Sequence, residues 1–306
     1  MRLVVGTSLS QDRRLRALVV ICAYNEEGSI AVPVSRAVRE GFDVLVVDDG
    51  SEDGTAEVAE RHGATVVRSP ERCGKAAALS RAIDYAKTQG YGAIIEIGAD
   101  AIPTQGSITK IYQYLTSPKI GAVSALQIPL GKGLAYNIDE LMWSVLAIGK
   151  SLQQRLNRPV HLGAVMYGVK LESIDKPLNI INDDEYIGKA VHKSGKPHLF
   201  LEDSVVYFDA STSIKHLFTR RKRMILGHLQ LGKSTAPSMQ PDLLAVATLL
   251  SLIKKPSRIT WLIPAAVIEI AARLAAFAEL RKEKLLKEYI KWHTHGLKKP
   301  IQYNVV

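Results

Sequence analysis

The sequence predicts an α/β fold, an open sheet of buried parallel strands joined by helices, on three observations. Short β-branched runs recur, each run ends in a cluster of polar or small residues, and a helical pattern follows each cluster. Ala17 to Cys22 (ALVVIC) reads as the first buried strand, with the polar run Ala23-Tyr24-Asn25-Glu26-Glu27 at its end. Ser29 stands where an N-cap is expected for a helix from Ile30 to Arg39. The next run, Val44 to Thr55 (VLVVDDGSEDGT), ends in two adjacent carboxylates, Asp48 and Asp49, and a glycine turn. In open α/β sheets the carboxyl ends of the strands form the rim where ligands bind, so these two side chains predict a site as well as a fold. Ala64 to Arg68 reads as a third strand, and Gly74-Lys75 open a helix. An ammonium and free N–H groups converging there suit a phosphate or a base carbonyl, against the plainer reading of a solvated lysine. Ala93 to Ile97 is the fourth strand and delivers Gly98-Ala99-Asp100.

Length and composition fit one such core with an extension. Of 306 residues, 47% are apolar and 23% charged, which excludes disorder for most of the chain. The net charge of +10 calls for an anionic partner: phosphate-bearing nucleotides, a lipid surface or nucleic acid. No recognition helix, zinc motif or aromatic platform supports nucleic acid. Cys22 and Cys73 are the only cysteines, too few for a zinc site, and predict a reduced, cytoplasmic setting. The N-terminus has an apolar stretch too short for a signal peptide and then turns basic, so export is not expected.

AYNEE followed by VVDDGSEDGT, in that order and spacing, resembles the start of the nucleotide-sugar-binding domain of family 2 glycosyltransferases, the inverting group with the GT-A fold. The resemblance implies a Rossmann-like mixed sheet flanked by helices. The activity it implies is transfer of one sugar from a nucleotide-diphosphate sugar to a glycan, glycolipid or polyprenyl-phosphate acceptor. It assigns Asp49 and the Tyr24 to Glu26 loop to base and ribose, with Ala23 and Asp48 beside them, and Lys75 to the nucleotide. Where the family carries DxD, this chain has Gly98 first and only Asp100 second. The resemblance still implies Mg2+ or Mn2+ at Asp100, since these ions often take one or two protein carboxylates. Glu96 shares the strand parity of Gly98 and Asp100 and is a candidate for compensation.

Later segments continue the resemblance. Gly163 to Val169 is similar to the small-residue strand that floors the acceptor site, although an ordinary core strand explains it equally well. Asn182-Asp183-Asp184-Glu185 followed by Gly195 resembles EDxxLxxRLxxxG, and counting back from the glycine selects Asp184 as the general base. A helix start decorated with acids is the alternative. Leu217 to Gly227 occupies the place of QxxRW, with Arg220 at the glutamine, Arg223 at the arginine and Met224 at the tryptophan. The two arginines suit a departing diphosphate, while loss of glutamine and tryptophan argues against a processive polymerase.

Beyond Gly227 the composition shifts. Asp242 to Ile253 and Ile259 to Leu280 are strongly apolar, divided by Lys254-Lys255-Pro256-Ser257-Arg258. Glu269 and Arg273 stand four apart on one helix face and should pair. Basic clusters at 215–233 and 281–299 suit anionic headgroups. The expected organisation is a basic segment 1–16, a GT-A catalytic domain 17–235, and a helical extension 236–306 at the cytoplasmic face of the membrane. A soluble packing or homo-oligomer surface is the alternative for that extension. Two rival functions are a catalytically reduced nucleotide-sugar-binding or membrane-scaffold member, and a nucleotidyltransferase. The second would open with a glycine- and arginine-rich loop, unlike AYNEE.

Overall fold

A computed structural model describes residues 15–177, 180–231 and 241–280. The four anticipated strands form as β1 (Ala17–Ala23), β2 (Asp43–Asp48), β3 (Thr65–Arg68) and β4 (Ala93–Ile97). They pair in parallel in the order β3-β2-β1-β4, joined by α1 (Ala31–Arg39), α2 (Thr55–Arg61) and α3 (Lys75–Thr88). The β-branched residues of β1, β2 and β4 are buried because helices cover both faces, so those runs need no polar alternation, while the edge strand β3 is half-buried.

The sheet then becomes mixed. After the two-residue β5 (Ile102–Pro103) and α4 (Ser107–Leu115), β6 (Ala122–Leu130) leads into the 22-residue α5 (Leu134–Arg155). β7 (Met166–Lys170) returns antiparallel between β4 and β6, and β8 (His198–Asp209) follows α6 (Asp183–Lys193). The full order is β3-β2-β1-β4-β7-β6-β8-β5. One face packs on α1, α2 and α4 through Val34, Val58 and Ile111; the other packs on α3 and α6 through Leu79, Ile83 and Ile187.

Four helices form a second layer beside this sheet: α5, α7 (Ile214–Gln230), α8 (Pro241–Lys254) and α9 (Leu262–Glu279). A 3-10 segment, Pro256–Trp261, separates the last two. Ile138, Leu217 and Ile268 join α5, α7 and α9, while Ile225 and Leu226 of α7 meet Ala272 and Ala276 of α9. Ion pairs reinforce the layer: Arg221 to Glu269 at 2.7 Å, Lys222 to Glu279 at 2.8 Å and Arg258 to Glu140 at 2.5 Å.

Several expectations are corrected. Ser29 does not cap α1; its hydroxyl donates to the Glu26 carboxylate at 2.5 Å and the helix begins at Ala31. Cys22 is half-buried, because β1 runs out there into the sheet edge. Only the second half of Gly163 to Val169 is strand, since β7 starts at Met166. The basic cluster of α7 turns largely inward, with Arg220, Arg221 and Lys222 each meeting a carboxylate of another helix. The Glu269–Arg273 pair forms at 2.7 Å. Most of the expected basic segment 1–16 and the tail after Arg281 lie outside the described residues.

Candidate active site at the carboxyl edge of the sheet

The loops that leave β1 and β2 clasp one another. Asn25, in the left-handed region at φ 53°, donates its N–H to Ser51 Oγ at 3.0 Å and accepts from Glu52 N–H at 2.9 Å. Glu26 N–H donates to Thr55 Oγ1 at 2.8 Å. Fully buried Asp48 accepts from Ser51 N–H at 2.8 Å and faces Arg68 Nε at 3.3 Å. Asp49 reaches across to the start of α3, accepting from Cys73 N–H at 2.9 Å and Gly74 N–H at 2.6 Å. The Arg72 guanidinium lies 3.7 Å over the Tyr24 ring. Ala23, Tyr24, Glu26, Asp48 and Asp49 therefore belong to one hydrogen-bonded edge, as their positions after adjacent strands require.

Lys75 joins this edge to the other half of the molecule. Its Nζ lies 3.1 Å from Glu96 Oε1 on β4 and 3.2 Å from Asp183 Oδ2 at the start of α6. Burial alone would lower its pKa, but the charges of Asp183 and Glu96 hold it above the ordinary lysine value. Two acids sharing one ammonium leave an excess of buried negative charge. Burial accordingly pushes Glu96 up to about 7, against the pull of Lys75. Glu96 thus belongs to Lys75, and its sequence-based candidacy as a stand-in for the absent carboxylate at Gly98 gives way to that pairing.

Asp100 is half-buried just past β4. A β-carbon built on Gly98 would stand 3.3 Å from Asp100 Oδ1 and 3.7 Å from Val165 O, so both positions face one space bounded by the loop before β7. Among the described residues no group of three or more His, Cys, Asp or Glu is arranged to hold a metal ion. A single carboxylate still fits Mg2+ or Mn2+ when substrate phosphates and water complete the shell.

Asp184 follows Asp183 on the first turn of α6 and is mostly buried. Burial raises its pKa, but His161, Lys75, a hydrogen bond from the Glu185 backbone and His228 together hold it below the ordinary carboxylate range. His161 Nε2 is 4.0 Å from Asp184 and 2.8 Å from buried Glu185. The start of α6 is fixed from α7: Asn182 Nδ2 donates to Met224 O at 2.9 Å, and Arg223 Nη2 donates to Ile181 O at 3.1 Å. Arg220 pairs with Asp139, which is 1% exposed on α5 and also accepts from Ser211 N–H at 2.9 Å.

The structure gathers Asp48, Asp49, Lys75, Asp100 and Asp184 at one edge, while Arg220 and Arg223 engage protein groups behind α6. Sequence reasoning missed Asp139, His161 and Glu185, and gave Asp183 and Glu96 no partner. A lone carboxylate inside the buried run AIIEI was a usable signal for Glu96, because burial demands a counter-charge. Asp139 offered none, since its partner lies 81 residues away.

Comparison with known proteins bears on the family and the fold. The model of the family "Glycosyl transferase family 2" matches residues 18–168. Polyprenol monophosphomannose synthase of Mycolicibacterium smegmatis is 27% identical over 144 residues, 44% of this chain and 52% of the relative. Undecaprenyl-phosphate mannosyltransferase of Micrococcus luteus is 28% identical over 126 residues, 39% of this chain and 51% of the relative. The chain spans about half the length of these curated relatives. Among solved structures, glucosyl-3-phosphoglycerate synthase from Mycobacterium tuberculosis, in complex with Mn2+, uridine diphosphate and phosphoglyceric acid, superposes with a TM-score of 0.50. It is 18% identical, with 73% of this chain and 80% of that one covered, a likeness of fold.

Proposed function

Residues 18–168 place the chain in glycosyl transferase family 2, and from that premise we propose that it moves a single sugar from a nucleotide-diphosphate sugar to a polyprenyl phosphate at a membrane surface. The observation that carries the transferase reading is the bridge made by Lys75, which ties the Asp49 edge to the first turn of α6. Donor-side and acceptor-side carboxylates thereby share one rim. In this reading Ala23, Tyr24, Glu26, Asp48 and Asp49 hold base and ribose, and Lys75 sits beside the nucleotide. Asp100 would hold a divalent ion, Mg2+ or Mn2+, which supplies neutralisation of the diphosphate as it departs. An acceptor oxygen attacks the anomeric carbon opposite the diphosphate, the bond to the diphosphate oxygen breaks, and the configuration inverts.

The relatives named for polyprenol and undecaprenyl phosphates support a lipid-phosphate acceptor. Such an acceptor is already ionised at neutral pH, so Asp184 positions it rather than removing a proton. Arg220 holds the start of α5 through Asp139, and Arg223 holds the chain entering α6 through Ile181 O. The membrane reading rests on the outer face of α8 and α9. Ile263, Val267, Ile270, Leu274 and Phe277 recur along α9 at helical spacing, and Ile263 and Leu274 are 78% and 67% exposed. Ile268, Ala272 and Ala276 turn the opposite face onto the protein. Residues 256–279 are long and apolar enough to cross a bilayer by length and composition. The inward packing and the Glu269–Arg221 bond favour a helix lying along the surface, apolar face in the lipid.

The test is transfer from a panel of uridine and guanosine diphosphate sugars, with Mn2+, to a polyprenyl phosphate or the matching polyprenol. Sugar should pass to the phosphate alone, and Asp184→Asn should keep its rate within about tenfold. Transfer to the alcohol with a hundredfold loss in Asp184→Asn would overturn the phosphate acceptor.

A further inference from the structure

Among the buried polar side chains that the proposed mechanism does not use are Lys150 and Gln127. Lys150 on α5 is 2% exposed, and among the described residues its ammonium has one hydrogen-bond partner, Leu162 O at a long 3.4 Å. Gln127 on β6 is 5% exposed, and neither its amide nitrogen nor its amide oxygen has a partner. A buried polar group without a partner is costly, and an unpaired buried charge more so. Burial drives the Lys150 pKa down to about 8, with Asp184 the one charge pulling it up.

These two side chains face a common point. Gly163, at φ +80°, is glycine both for its backbone and for its space: a β-carbon there would stand 2.6 Å from Lys150 Nζ and 2.7 Å from Gln127 Nε2. Gly163 opens the loop that leads to Val165, which bounds the Asp100 space, and Asp184 is close enough to act electrostatically on Lys150. Lys150 and Gln127 therefore sit at the acceptor side of the rim.

Gln127 also lines a groove of about 570 Å³ between α5, β6, β8 and α8. Its walls include Leu126, Trp143, Ile148, Phe200 and Leu250. Phe200 is set by a two-way clamp, donating its N–H to Gln154 Oε1 at 2.6 Å and accepting from Gln154 Nε2 at 3.1 Å, and its ring lies 5.3 Å from Lys150 Nζ. Leu250 and Lys254 of α8 line the groove, next in sequence to exposed Leu249 and Ile253. A groove with these apolar walls and Gln127 in its lining, with the Lys150 ammonium beside the Phe200 ring, matches a molecule with an apolar chain and an anionic head.

We propose that Lys150 and Gln127 bind the anionic head of an isoprenoid phosphate acceptor whose chain lies in the groove between α5 and α8. The site rests on the glycosyltransfer reading for the identity of its ligand, but its chemistry can be tested without turnover. An anion at this point would give Lys150 the counter-charge the fold withholds and Gln127 an acceptor for its N–H. Asp184, on the same side, then orients the attacking oxygen.

The experiment uses the full chain and geranyl phosphate, geraniol and inorganic phosphate as probes, with binding followed by calorimetry and stability by thermal unfolding. Lys150→Met keeps the length and removes the charge. It should weaken geranyl phosphate at least tenfold, leave geraniol and nucleoside diphosphate affinity unchanged, and leave the thermal midpoint equal or higher, because a poorly compensated buried charge is gone. Gln127→Met is an independent arm and should weaken geranyl phosphate in the same selective way. Unchanged geranyl phosphate affinity in both variants would overturn the proposal. So would a fall in thermal midpoint accompanied by loss of nucleotide affinity, the mark of a purely structural lysine. Inorganic phosphate binding as tightly as geranyl phosphate would overturn the lipid head in favour of a free anion. The two readings fail separately. Lys150-dependent binding of geranyl phosphate without sugar transfer would sink the glycosyltransfer reading and keep this site. Transfer to geranyl phosphate with unchanged KM in Lys150→Met would do the reverse.

Discussion

The two halves of the sheet satisfy their carboxylates by different means. From β1 to α3 the hydrogen-bond donors are backbone N–H groups: Ser51 for Asp48, which also faces Arg68, and Cys73 and Gly74, across α2 and β3, for Asp49. From β6 onward they are side chains on distant elements: Arg220 for Asp139, Arg221 for Glu269, Arg258 for Glu140 and His161 for Glu185. A backbone donor comes with the fold and cannot be mutated away, whereas a side-chain cation can be lost or replaced together with its partner. The Asp48–Asp49 edge is thus specified by backbone geometry and the helical layer by pairwise recognition.

The sharpest way to break this contrast is to remove one acid from each half. Asp139→Ala leaves Arg220 buried beside an empty partner and should cost about 4 kcal/mol in chemical denaturation. Adding Arg220→Met to Asp139→Leu should restore most of that loss, because the charge and its desolvation leave together. Asp49→Ala should cost about 3 kcal/mol through two unsatisfied N–H groups. No single substitution elsewhere should rescue it. A rescue of Asp49→Ala, or a double variant at 139 and 220 no better than the single, would erase the distinction.

Lys75 and Glu96 lie on the seam between the halves and give it a pH signature. Glu96 carries a pKa raised from its ordinary value to about 7. Its contribution to stability is fully present below about pH 4.5 and is lost as pH rises through about 7. Lys75, whose pKa is raised, keeps its contribution until well above this window, and Asp184, whose pKa is lowered, loses its contribution only at more acid pH. The stability difference between Glu96→Gln and wild type should therefore grow from pH 5 to pH 8 in favour of the variant, by up to about 3 kcal/mol. A difference independent of pH would show that Glu96 ionises freely.

For function the contrast predicts that the donor edge is where a single atom matters. Asp100→Ala should lower turnover roughly a hundredfold and abolish any response to Mn2+, with thermal stability kept. Full activity in chelator would remove Asp100 from the donor site. The smallest effect is expected at the outer face. Replacing Ile263, Val267 and Leu274 with serine should release the chain about tenfold from anionic liposomes, with nucleotide affinity unchanged. Equal co-sedimentation would return α9 to a packing or self-association role.

The same contrast explains what the sequence disclosed. β1, β2 and β4, the Asp48-Asp49 turn and the helix at Lys75 follow from runs of a few residues whose meaning is local, and each lies within a residue or two of expectation. Ser29 misled because the hydroxyl had a nearer competitor in the Glu26 carboxylate. Arg220, Arg221 and Lys222 read as an exposed basic patch because their acids, Asp139, Glu269 and Glu279, are 48 to 81 residues away. α5 went unread because its apolar residues serve the sheet on one side and α8 and α9 on the other, which blurs helical periodicity.

Gly227 on α7 leaves room for a neighbour to lie flat against the helix. A side chain at 227 would overlap the amide of Asn182, so that amide, just before Asp183, packs directly on the backbone of α7 and donates to Met224 O. Gln230 on the next turn accepts from Ile181 N–H at 2.9 Å, and Ile225 and Leu226 seat the same helix on α9. A tilt of α9 is therefore carried through α7 and the Asn182 amide seated on it to the acids at the start of α6. Even alanine at 227 would act as a shim. It would lift the α6 terminus from its bearing and misalign Asp183 and Asp184 with every charged residue still in place.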